Sequence, residues 1–325
     1  GDFYNANFIN AKIDMEKGEG PDIAAKYVVR AYPSYLFLNP KGNIVHRGIG
    51  SMDPEQFVVL GKIALDPQRN FAAIRSKYEA DPSNADLVLL YCNELKKVYD
   101  NTYVAVAENY LNKLDESALL DRKNWMIMEG FVESLDSKSF LFLIKNQKKY
   151  EKNFGKEKVN KKIDAVVEAE VYKAFRAKDV DLLKTVAEKI KSMHLPNNDY
   201  YQALISLRIS TINQDWNSYG ESFIAMVSHN PDLDANTINS YAWNCYKFIN
   251  DVSLLEKVAQ IIGKTVDKHD YYALHDTYAS LLYKAKKYEK ALEEANKAIA
   301  LARENNEDFS GTTELINDIR AAMGE

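Results

Sequence analysis

The sequence predicts a mainly α protein in which a short α/β segment leads into a long run of paired helices. Three observations carry this. Residues 30–50, RAYPSYLFLNPKGNIVHRGIG, read as a proline-marked turn, an apolar strand, a tight turn and a second strand. From Asp66 onward glycine and proline become sparse and strand signals disappear. There, apolar residues recur at helical spacing, as in Leu274, Tyr278, Leu281, Leu282 and Ala285, and again in Ala291, Ala295, Ala298, Ile299 and Ala302.

Composition bounds the function. A chain of 325 residues with 46% apolar content can bury one large core or two smaller ones, and its length suggests about two domains. The net charge is −5, and Lys and Arg are everywhere interleaved with Glu and Asp, which argues against nucleic acid or an anionic membrane as partner. The most basic run, KNQKKYEKNFGKEKVNKK at 145–162, reads as the solvated ends and loop of a helix pair. No apolar run approaches the roughly 18 residues of a membrane span. The chain opens on Gly1 rather than Met; such a glycine is often left by tag removal, so the natural start is expected upstream.

The elements follow in order. FINAKIDM, from Phe8 to Met15, alternates apolar positions and reads as a short strand; EKGEG is a turn. PDIAAKYVV reads as a short helix, because Pro21 suits a first turn and Asp22 suits the positive end of the helix dipole. SYLFL and NIVHRGI form a hairpin around Asn39-Pro40-Lys41-Gly42, in which the proline presets one turn position and the glycine accepts positive φ. Asp53 caps the next helix, Pro54 takes its first position, and Phe57, Leu60 and Ala64 follow on one face.

This strand, helix, hairpin, helix order, with AKYVVRAYPSYLFLNPKGNIVHRGIG at its centre, resembles the C-terminal half of a thioredoxin-like domain. The resemblance covers roughly residues 3 to 65, about a fifth of the chain. It implies a cis proline at Pro33 and a substrate-docking loop formed by Tyr32, Pro33 and Ser34, with the backbone at Tyr32 pairing with a peptide. It also implies that the half bearing Cys-x-x-Cys precedes this chain. In the family an absent strand would lie between AKIDM and SYLFL. Its loss leaves three outcomes: the sheet closes up, a neighbouring chain donates a strand, or AKIDM no longer pairs. The two cysteines present, Cys92 and Cys245, sit among apolar and aromatic neighbours in helical segments and read as buried structural thiols. By itself the chain is not expected to perform dithiol chemistry.

Residues 1–65 and 66–325 are thus expected as two domains. In the second, residues 272–305 resemble the tetratricopeptide (TPR) pattern: small Ala279, Ala291 and Ala298 stand where helices approach closely, Tyr288 takes an aromatic position, and the glycine and tryptophan of the motif are missing. SYAWNCYKFINDVSLLEKVAQII repeats the design upstream, with Tyr241-Ala242 matching Tyr278-Ala279. Further pairs are read at 200–227, 169–190 and 124–147, and more loosely from Phe71 to Leu114. Their turns, INQDW, RAKDV, INDVS and KAKKY, each offer Asp or Lys to begin the second helix. Stacked hairpins of this kind imply a curved solenoid with a concave groove for peptide or protein clients.

Other chemistry finds little support. His269 and His275 fall on different faces of one helix with no further Cys or His nearby, so no metal is expected, and Gly-rich phosphate loops, GxSxG and HExxH are missing, so no cofactor is expected. The functional expectation is a fragment of a thiol–disulfide oxidoreductase joined to a client-binding helical array. The alternative is a non-catalytic binding or scaffold protein, with dimers possible through the open sheet edge. The cysteines fit any compartment; the resemblance points to the bacterial cell envelope.

Overall fold

The computed structural model describes residues 1–325, and it is mainly α, with eighteen α-helices and one two-stranded sheet. No helix is long and apolar enough to cross a membrane. The chain divides into two compact units, Gly1–Val166 and Val167–Glu325.

The first unit opens with α1 (Asp2–Asn7) and α2 (Gly20–Lys26). The strand expected from Phe8 to Met15 does not form: the segment after Phe8 has no regular hydrogen bonding, Ile9 is fully exposed and Ile13 is 43% exposed. An alternating pattern makes a strand only beside a partner strand that takes up its backbone groups, and here none pairs with it. Of the three outcomes left open above, the structure shows the loss of pairing. Helix α2 also ends earlier than its sequence suggests. Val28 turns left-handed at φ 54°, and the amide of Val29 reaches back to the carbonyl of Ala24, which closes the helix.

Strands β1 (Ser34–Leu38) and β2 (Ile44–Ile49) pair antiparallel, Ser34 opposite Ile49 and Phe37 opposite His46. The turn between them works as its residues dictate. Asn39 Oδ1 accepts the amides of Lys41 and Asn43, and Gly42 sits at φ 76°. Helix α3 (Pro54–Leu65) starts with a full capping box, Asp53 accepting the amide of Gln56 while Gln56 accepts that of Asp53. It lies close on the hairpin: a Cβ on Gly48 would meet Leu60 at 2.8 Å. Tyr4 stacks on Phe57 with ring centroids 4.2 Å apart, and Phe8 meets Phe37 at 5.2 Å, so aromatic burial ties α1 to the hairpin and α3.

Helices α4 (Phe71–Ala80), α5 (Ala85–Lys97), α6 (Thr102–Leu111), α7 (Arg122–Phe131), α8 (Lys138–Lys145) and α9 (Gln147–Phe154) complete this unit with the first part of α10 (Lys156–Arg176). The hairpin is joined to these helices by Arg47, whose guanidinium pairs with Asp100 at 2.6 Å and lies over the Phe71 ring.

The second unit continues α10 and adds α11 (Val180–Ser192), α12 (Asn198–Asn213), α13 (Trp216–His229), α14 (Ala235–Phe248), α15 (Val252–Val266), α16 (Tyr272–Lys284), α17 (Tyr288–Asn305) and α18 (Ser310–Met323). From α11 onward each helix packs on its successor, α13 also packs on α15, and α14 on α16. Ala242, Ala279, Ala291, Ala295 and Ala298 are all fully buried, where small side chains let helices approach.

The turns within the pairs are built alike. Lys178, Gln214 and Lys286 each take a left-handed conformation near φ 54–60°. The next residue's amide bonds five residues back, Asp179 to Ala174, Asp215 to Ser210 and Lys287 to Leu282. Asp179 and Asp215 then cap the second helix, accepting the amides of Leu182 and Ser218, as Asp251 does for Leu254. Lys287 occupies the same place without a capping side-chain bond.

Candidate functional site

The stretch Tyr32-Pro33-Ser34 leads into β1, whose first residue is Ser34, because Pro33 cannot donate to a ladder and so stands just before the strand. The Tyr32–Pro33 peptide bond is cis. Ser34 donates its hydroxyl to the Ala31 carbonyl at 2.6 Å, and the Pro33 carbonyl accepts the Gly50 amide at 2.9 Å. Tyr32 is 60% exposed and neither of its backbone groups is bonded within the chain. The three residues therefore form one exposed corner at the end of the hairpin, with an unused donor and acceptor at Tyr32.

The thiols lie elsewhere and are free. Cys92 is buried in the first unit, its sulfur near the Tyr103 carbonyl, and Cys245 is buried in the second. Burial pushes each thiol up to about 12. At neutral pH neither is a thiolate, so neither is a nucleophile.

Sequence reasoning missed a cleft of about 600 Å³ in the first unit, between β2, α3, α4 and α5. Its walls are apolar, with Ile49, Leu60, Ile74, Leu90 and Val98 among them, and Arg47, Arg69, Lys77, Lys97 and the single acid Glu94 also line it. Lys97 pairs with Glu94 at 2.5 Å, and Arg47 is taken by Asp100. His46, also in the wall, is held below the usual histidine range by burial, and its Nδ1 accepts the Phe71 amide at the start of α4. None of Tyr32, Pro33 and Ser34 lines the cleft. No local motif announces it, since its residues come from four elements spread over some fifty positions.

Two buried polar clusters lie away from both. In the first unit Lys162, 6% exposed, donates to the carbonyls of Glu129 and Val132 at the end of α7. Burial pulls its ammonium down to about 8, against the pull of nearby Glu133. This lysine belongs to the basic run read as solvated, and the sequence holds no sign that one of its members turns inward. In the second unit His275, on α16, bonds Glu294 at 2.6 Å through Nδ1 and Asp270 at 2.9 Å through Nε2, while His269 is exposed in the connection before α16 and does not share its helix as expected. Asp276, raised by burial, accepts the Thr312 hydroxyl at 2.6 Å. These contacts join α16 to α17 and α18, and no group of three His, Cys, Asp or Glu is disposed to hold a metal ion.

Compared with models of known families, with curated proteins and with solved structures, the chain matches none.

Proposed function

We infer that the chain is a client-binding module, the peptide-holding part of a thioredoxin-like thiol–disulfide oxidoreductase with a TPR-like helical array, and that it performs no dithiol chemistry alone. The observation that carries this reading is the exposed corner at Tyr32. Its free N–H and C=O offer one residue's worth of strand pairing to an extended peptide, with the phenol beside it for an apolar side chain. The sequence resemblance supports the oxidoreductase parentage, and the repeated turns of α10 to α17 support the array. A second reading, a binding or scaffold protein with no redox parent, is favoured by the deep burial of both thiols.

The test uses reduced, carboxymethylated client chains that cannot exchange disulfides. The chain should bind them saturably, and Tyr32→Pro, which removes the amide, should weaken binding about tenfold or more. Insulin reduction by the chain should not exceed the free-thiol background. Unchanged client affinity in the Tyr32 variant removes the docking corner, and insulin turnover removes the account of the thiols.

A further inference from the structure

We propose that the cleft between β2, α3, α4 and α5 binds a single-chain amphiphile, an acyl or alkyl chain ending in one carboxylate. Its volume, about 600 Å³, is that of a small-molecule site, and its walls are largely aliphatic, as such sites usually are. Aliphatic walls select a flexible hydrocarbon, because the one ring among them, the His46 imidazole, is itself buried and held by the Phe71 amide.

Charge selects the head. In a chain of net charge −5, this one cleft gathers four cations against a single acid. Two of those cations are already matched, Arg47 by Asp100 and Lys97 by Glu94. Arg69 and Lys77 remain. Both are exposed, and Lys77 has engaged only the Gln68 carbonyl at 2.8 Å. A guanidinium presents a planar fork that fits a carboxylate bidentately, and an ammonium adds a second, more flexible donor. A cationic head would meet the same groups as repulsion.

This inference goes beyond the client-binding reading and uses different residues, so either can fail while the other stands. The experiment titrates the full chain with decanoate, decanol and decylammonium by calorimetry. Decanoate should bind saturably with one site per chain, decanol more weakly, and decylammonium weakest. Arg69→Glu with Lys77→Glu, both at exposed positions, should weaken decanoate about tenfold or more and narrow or reverse its advantage over decylammonium. Leu90→Asp, at a wall position 41% exposed, should weaken all three. Unchanged helical circular dichroism in both variants separates these effects from unfolding. The proposal is overturned if decanoate does not saturate, if decylammonium binds as tightly as decanoate, or if the double variant keeps wild-type decanoate affinity.

Discussion

Lys162 gives the sharpest test of the packing in the first unit. Its ammonium is pulled down to about 8 in the fold, against about 10.4 in an unfolded chain, a difference worth about 3 kcal/mol. The folded value is depressed, so between those two limits the unfolded chain holds more protons. Stability therefore rises as pH climbs from about 8 towards 10.4, and the gain is lost as pH falls back through 8. Over the accessible window of pH 8 to 9.5 the gain amounts to about 1–2 kcal/mol. Lys162→Met removes the titration, and it also strips the Glu129 and Val132 carbonyls of a donor, at about 1–3 kcal/mol for each one left unpaired. The second effect does not depend on pH, so the difference in slope isolates the first. Trp125, 3% exposed, reports on this unit once Trp216 and Trp243 are replaced by Phe. Urea midpoints at pH 8.0, 8.5, 9.0 and 9.5 would be compared in the two chains. With a urea slope of about 2 kcal/mol/M the wild type should gain roughly 0.7 M across the window relative to the variant. Parallel profiles would refute the reasoning and place the amine in water.

Other outcomes follow from single contacts. Arg47→Met should lower the stability of the first unit by about 2–3 kcal/mol in urea unfolding, since Asp100 loses a charge-assisted bond in a poorly solvated place. Gln214→Gly should raise the stability of the second unit by up to about 1 kcal/mol, because glycine accepts the left-handed turn without the Cβ clash. Asp251→Ala should cost it about 1 kcal/mol by removing the cap on Leu254. With Ellman's reagent at pH 8, Cys92 and Cys245 should react about a thousandfold more slowly in the native chain than after unfolding, when two thiols appear at once.

Much of the fold is legible because its signals are local. The apolar spacing of Leu274, Tyr278 and Leu281 makes a helix whatever lies around it, and those residues are buried as the spacing requires. Asp53, Asp179, Asp215 and Asp251 begin their helices because a carboxylate two or three residues ahead of free amides satisfies them without help from elsewhere. The hairpin turn at Asn39 to Gly42 is equally self-contained. The candidate site is less so. Tyr32, Pro33 and Ser34 stand together by adjacency, and the exposure of Tyr32 is a property of the folded surface.

By itself, then, the chain's order of residues determined a mainly helical protein, the hairpin, the caps and the repeated turns, all of which arise from groups a few positions apart. Tertiary structure alone decided that residues 8–15 stay unpaired, that Lys162 turns inward from a basic run, that His275 is held between two carboxylates, and that four elements enclose a cleft. Each of these depends on a neighbour brought close only by folding, and the free energy of a strand, a buried charge or a cavity wall is set by that neighbour rather than by the residue's own sequence context.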